Sequence, residues 1–312
     1  MKPPPFRYWR PQSRAEALEG LADMVQQGYQ AKVLAGGQSL MPMLNMRLTW
    51  PDVLVDLNGL GPELTYIHRD GPALRVGALT RHYMLETDPM IQRLVPIIAQ
   101  AEPLIGHLAI RSRGTVGGSL AHADPSAELP LLALLLGARM RVESVRGSRE
   151  VPSDEFFVTY LTTALASDEI LTEIVWPVIP PRSGQAIQEY ALRHGDFALA
   201  AAAAQVTVDD DGAIVAGRLA LGGVSATPLD VSHEVFSRLV GCQPEDQEIG
   251  QATEAIRDLV DPMSDIHADS EYRRELAVTL ARRAVREAWE AAVQAQDRLQ
   301  PEGEGSQEGE RP

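Results

Sequence analysis

The chain has 312 residues with 43 acidic against 28 basic side chains, a formal net charge of -15, which argues against a nucleic-acid groove and against an anionic membrane surface. Its one cysteine, Cys242, excludes an intrachain disulfide and an iron–sulfur cluster ligated by this chain alone. No apolar signal region follows the Met1–Pro5 start, and the longest apolar stretch, 129–136, falls far short of the ~20 residues of a membrane helix, so a cytoplasmic location is expected.

In chain order, Ser13-Arg14-Ala15-Glu16 reads as a capping box, with Ser13 the N-cap and Glu16 reaching back. Ala17, Leu18, Leu21 and Val25 mark one face of the helix that follows, and Gly28 is a stop signal. A strand over 31–34 runs into the glycine-bearing segment Ala35-Gly36-Gly37-Gln38-Ser39, and a second strand, 53–57, ends at Asn58-Gly59. A new unit then opens near Leu64, with a strand over 74–78, a helix that Thr80 caps, and a helix over 89–101. The second glycine segment, Gly114-Thr115-Val116-Gly117-Gly118-Ser119, leads through Ala121-His122-Ala123-Asp124-Pro125 into an apolar helix over 126–136. Strands over 139–143 and 169–176 precede a proline-rich stretch, which places a domain boundary near residue 178.

The third unit opens on a hairpin: strands over 200–208 and 213–221 flank Asp209-Asp210-Asp211-Gly212, whose Asp-Gly end is a strong turn signal. The alanine run 200–204 has helical composition, but the hairpin and its valines favour a strand. Helices over 246–260 and 270–295 follow, and the polar tail from about Leu299 is expected to be disordered.

Glycine admits close backbone approach to a ligand, and successive free N–H groups form a nest for an anion. Two such nests suit a diphosphate. Gly36-Gly37-Gln38-Ser39 alone reads equally as a tight turn or a phosphate loop. The second segment is more specific through Thr115, Ser119 and Asp124, although Asp124 and Ser126 also read as helix caps. Neither segment carries the Gly-Lys-Ser/Thr of a Walker loop or the Gly-x-Gly-x-x-Gly of a nicotinamide-dinucleotide site. The histidines, His107 and His122 among them, do not have metal spacing, and Ser39 and Ser119 lack a hydrolase elbow. Arg193-His194-Gly195-Asp196-Phe197-Ala198 is either a turn whose Phe197 fills a core or a loop lying against a ring system. No general acid or base is assigned, His194 and Asp196 included.

These segments, from Phe6-Arg7-Tyr8 to the helix ending near Ala292, resemble the flavin-binding medium subunit of the molybdenum hydroxylases, of the aerobic carbon monoxide dehydrogenase and xanthine dehydrogenase type. The most specific matches are 35–39, 110–119, 121–125 and 193–198. The resemblance implies an α+β fold: a bilobed FAD-binding domain of the vanillyl-alcohol-oxidase (PCMH) type over 1–178, with subdomains about 1–58 and 59–178. A domain of a three-stranded antiparallel sheet and a helical bundle over 179–298 would follow, and then the acidic tail 299–312. It implies non-covalent FAD, its pyrophosphate between Val33, Leu34, Ala35, Gly36, Gly37, Gln38 and Ser39 on one side and Thr115, Val116, Gly117, Gly118 and Ser119 on the other. Asp124 belongs to the same motif, and Glu128 stands where relatives often carry an aspartate near the adenosine part. Ile105, Gly106 and Leu171 match positions lining the flavin ring, and Gln188 stands where some relatives have a lysine facing it.

The implied role is electron transfer inside a three-part enzyme. A small subunit with two [2Fe–2S] clusters would deliver electrons, a large molybdopterin subunit would hydroxylate the substrate, and the assembly would be a dimer of heterotrimers. A free-standing flavin oxidoreductase and a non-enzymatic adaptor whose glycine loops are plain turns are the alternatives.

Overall fold

The computed structural model describes residues 2–297; the expected tail over 299–312 lies outside them. Its first sheet has three parallel strands, β1 (Arg7–Trp9), β2 (Ala31–Leu34) and β3 (Val53–Asp56), with β3 in the centre. The helix Arg14–Gln26 connects β1 to β2 and buries Ala17 and Leu21 against Val53, Val55, Leu57 and Leu60. Ser13 Oγ accepts from the Glu16 amide at 3.2 Å, as a cap should, but the Glu16 carboxylate reaches one residue further back, to the Gln12 amide at 2.7 Å. Gly28, at φ +81°, turns the chain where the helix stops.

The second sheet has the order β4-β5-β10-β6-β7, with β4 (Ile67–Asp70), β5 (Ala73–Gly77), β6 (Arg139–Ser144), β7 (Gly147–Pro152) and, beyond the short ribbon of β8 (Phe157–Thr159) and β9 (Thr162–Thr163), β10 (Ile170–Pro177). The helix expected over 89–101 is broken into Pro89–Leu94 and Pro96–Ala101. Val95 precedes a proline, whose ring disfavours helical geometry there, and it adopts φ -145°. Thr80 does not cap a helix. Its hydroxyl exchanges hydrogen bonds with the backbone N–H and carbonyl of Tyr66, and the next helix, His82–Thr87, starts after Arg81. The helix Glu128–Leu136 starts two residues later than expected, and all nine of its residues are buried. Ser126 does not cap it: the N-cap position falls on Ala127 and has no side-chain bond.

The third sheet is antiparallel, β11 (Ser183–Tyr190), β12 (Ala200–Val208), β13 (Ile214–Gly222) and a two-residue edge strand, β14 (Leu229–Asp230). The long helix Ser270–Asp297 covers one of its faces, and Glu128–Leu136 lies against the other. This explains the alanine run. Ala201 and Ala203 join the core under Glu128–Leu136, whereas Ala200, Ala202 and Ala204 join the core under the long helix. Successive strand side chains point to opposite faces, and a strand buried on both faces between two close layers has room only for small ones.

Gly184 on β11 marks a close backbone approach, since a Cβ there would lie 2.1 Å from the Ala288 carbonyl oxygen of the long helix. Gly184→Ala should therefore destabilise this layer by about 1–3 kcal/mol, the usual cost of overpacking, measurable as a lower denaturant midpoint with an unchanged far-UV spectrum.

Candidate functional site

The first glycine segment leaves the end of β2. Gly37 sits at φ +72°, a left-handed geometry that favours glycine, and Gln38 Nε2 folds back to donate to the Gly36 carbonyl at 3.0 Å. Among the described residues, no acceptor takes the backbone N–H groups of Gly36, Gly37, Gln38 or Ser39. The Ser39 hydroxyl makes no capping bond to the helix Leu40–Met46 that follows. Four successive amides and a hydroxyl are thus available to an anion. Val33 packs on the core of the first sheet, and Leu34 lies under Gly37.

The second segment is built differently. The amides of Val116, Gly117 and Ser119 donate to Thr80, Ala78 and Thr115 carbonyls at 3.0, 2.9 and 3.0 Å. The Gly118 amide donates to Thr115 Oγ1 at 3.1 Å, capping the helix Val116–His122. With these four amides engaged, the donors this stretch leaves for a phosphate are the hydroxyls of Thr115 and Ser119. Its glycines serve close packing instead. A Cβ on Gly117 would meet Ala78 Cβ at 2.5 Å, and one on Gly114 would meet His82 Cδ2 at 2.7 Å. That ring is hydrogen-bonded through Nδ1 to the fully buried Glu102 at 3.1 Å.

The two segments touch. A Cβ on Gly36 would stand 2.3 Å from the Arg113 carbonyl oxygen and 2.7 Å from Gly114 Cα. The open amides of the first loop thus sit against the start of the second, in a cradle that a side chain at residue 36 would disrupt.

The remaining expected contacts divide. Ile105 and Gly106 (φ +52°) form a turn whose carbonyls accept from Arg111 Nη1 at 3.4 and 3.1 Å. The 193–198 segment folds over that turn, because a Cβ on Gly195 would lie 3.0 Å from the His107 ring and 3.1 Å from Gly106. Phe197 stays exposed and fills no core. Asp124 closes an Asx turn, with Oδ1 accepting from the Ser126 amide at 2.9 Å. Leu171 is buried in the core of the second sheet.

Gln188 is directed away from this cluster, its Nε2 donating to Glu287 of the long helix at 2.8 Å. Strand alternation puts its neighbour Glu189 on the other face, the face whose Ile187 packs on the second sheet's core. Glu189 Oε2 is buried without a hydrogen-bond partner among the described residues. Glu128 is 7% exposed, and burial, then Glu189, push its carboxyl up to about 8; burial pushes Glu189 to about 7. Glu189 escaped sequence reasoning, although period-two alternation from Gln188 carries the signal.

The two carboxyls make the stability of the ligand-free chain depend on pH. Their ordinary value is 4.5 and their folded values are about 8 and about 7, so across that window the folded state holds more protons than the unfolded one. Stability is fully present at the acid end and falls as pH rises through the folded values. The thermal midpoint should drop between about pH 5 and about pH 8.5, and Glu128→Gln or Glu189→Gln should flatten that drop.

The family model described as the FAD binding domain in molybdopterin dehydrogenase matches residues 4–179, and that of the CO dehydrogenase flavoprotein C-terminal domain matches residues 185–288. The 6-hydroxypseudooxynicotine dehydrogenase complex subunit alpha of Paenarthrobacter nicotinovorans is 38% identical over 288 residues, covering 92% of this chain and 96% of that one. The carbon monoxide dehydrogenase medium chain of Hydrogenophaga pseudoflava is 34% identical, covering 93% and 99%. The crystal structure of quinoline 2-oxidoreductase from Pseudomonas putida 86 superposes with a TM-score of 0.88 at 37% identity, covering 94% of this chain and 99% of that one. With both glycine loops, both domains and relatives spanning nearly its whole length, the chain belongs to the FAD-binding medium subunits of the molybdenum hydroxylases of the carbon monoxide dehydrogenase and xanthine dehydrogenase type.

Proposed function

We propose that this chain holds FAD with its diphosphate on the open amides of 36–39, and passes electrons from a [2Fe–2S] subunit to a terminal acceptor. It would do so in a complex whose molybdopterin resides on a third subunit, assembled as a dimer of heterotrimers in the cytoplasm. Residues 1–178 form the cofactor domain in this reading and 179–298 the second domain. The observation that carries it is the cradle at Gly36: four amides without an acceptor among the described residues, against a wall that leaves no room for a Cβ. FAD, when bound, supplies the conversion between single-electron arrival and one- or two-electron departure.

The protein's own part is binding and orientation. The amides of 36–39 hold the anionic end without a charged side chain. The turn at Ile105–Gly106 and the 193–198 segment form the wall and cover of the ring end. Glu128 and Glu189 hold protons at carboxyls whose pKa burial raises. Leu192 and Phe197 stand exposed on and beside the 193–198 segment and Leu108 at the start of the helix Leu108–Arg111, exposed apolar side chains that support a protein partner beside the ring. The three relatives act, by name, on a nicotine derivative, carbon monoxide and quinoline, yet resemble this chain to a similar degree. That supports a chain whose role does not include choosing the substrate.

The purified chain should show oxidised-flavin absorbance and release FAD on heating, directly or after incubation with FAD. A protein that stays colourless under both conditions overturns the reading and favours the adaptor; substrate turnover by the chain alone favours the free-standing oxidoreductase. Gly36→Ala should weaken FAD about 5- to 150-fold, the equivalent of the 1–3 kcal/mol of an overpacked contact, with secondary structure retained by circular dichroism.

A further inference from the structure

The first glycine segment follows β2 of the first sheet, the second opens the helix Val116–His122 packed on the second sheet, and a relay of side chains joins them. Asn58, in the 3-10 turn Leu57–Leu60 after β3, donates from Nδ2 to the Ala35 carbonyl at 2.8 Å. Its Oδ1 accepts from Arg81 Nη2 at 2.8 Å. Arg81 Nη1 in turn donates to the Arg113 carbonyl, and the Arg81 backbone forms an isolated antiparallel bridge with Thr115. The orientation of the Asn58 amide is fixed by its neighbours, because a carbonyl only accepts and a guanidinium only donates. Asp56 fixes it from below: its Oδ1 accepts from the Asn58 amide at 2.9 Å and from Nδ2, while Oδ2 takes the Tyr8 hydroxyl.

The end point of this relay matters most. The Arg113 carbonyl held by Arg81 is the oxygen that a Cβ on Gly36 would strike, so the relay grips the wall of the cradle itself. A planar guanidinium can serve Asn58 and Arg113 at once with two nitrogens in a fixed fork, which a lysine cannot reproduce. Burial draws the Arg81 pKa below its usual value, with Tyr83 and then Asp56 opposing that shift and the neighbouring Arg113 adding to it.

We propose that Asn58 and Arg81 form a clamp that sets the separation of the two glycine loops, which makes them positioning residues for the cofactor's diphosphate. The inference rests on the FAD reading above. Neither residue lies in a glycine motif, and their effect is exerted through Ala35 and Arg113.

The test is a double-mutant cycle in the full chain, with Asn58→Ala, Arg81→Gln and the pair, read as the FAD dissociation constant by flavin fluorescence titration and as the visible circular dichroism of bound flavin. Each single change should weaken FAD roughly tenfold, the order expected for a lost hydrogen bond to a charged group. The pair should be no worse than either alone, since both break one relay. Arg81→Lys should fail to rescue, and Asn58→Ser provides a milder break should Asn58→Ala fold poorly. Unchanged FAD affinity with a lowered melting temperature overturns the clamp, as does a double variant whose loss is the product of the single losses. Wild-type chain that takes up no FAD overturns the cofactor reading and the clamp with it, whereas FAD bound equally by wild type and variants overturns the clamp alone.

Discussion

The structure depends on one close approach, that of Gly36 to the Arg113–Gly114 backbone. Two separate sheets end at this point. The first delivers β2 and its loop. The second delivers the end of β5, against which the helix Val116–His122 packs through Gly117. Each contact tolerates no Cβ, because backbone, not a flexible side chain, lies on the far side. Interiors packed to this density transmit displacement and do not absorb it. The spacing of the two loops is therefore a property of both sheets together, and the anion-facing amides inherit it.

Local signals made much of the architecture legible. The boundaries of β2 and β12 and the turn at Asp209–Gly212 follow from apolar runs closed by glycine or Asp-Gly, and the long C-terminal helix follows from its periodic face. The elements that escaped are short or polar. The edge strand β4, with exposed His68, Arg69 and Asp70, has no apolar alternation to read, and β1 spans only three residues. The helix Leu40–Met46 contains Pro42, which disguises it. Thr80 has helix-capping chemistry, but Tyr66 claims its hydroxyl from fourteen positions away in sequence. No window of local sequence contains that competitor.

The site shows the same division. The glycine loops could be found from their residues, but not which of them keeps its amides free. That outcome is decided by Thr80 and Ala78, whose carbonyls consume the donors of Val116 and Gly117. Gln188 and Glu189 differ by one position, and in a strand one position is the difference between two faces of a sheet. Asn58 and Arg81 carry no motif at all. Their significance exists only in the folded chain, where both glycine segments come within hydrogen-bond reach of a single amide–guanidinium pair.

A chain of net charge -15 appears ill suited to an anionic cofactor until distance is considered. Salt screens exposed charges beyond about 8 Å under physiological conditions, so the acidic surface contributes little at the cradle, where fixed amide dipoles act at contact range. Two buried carboxyls have the opposite problem. Glu128 and Glu189 are carboxyls in low-dielectric surroundings, and Glu128 has no cation among the groups that shift its pKa. A buried carboxyl without a cation becomes less costly by keeping its proton or by receiving a donor.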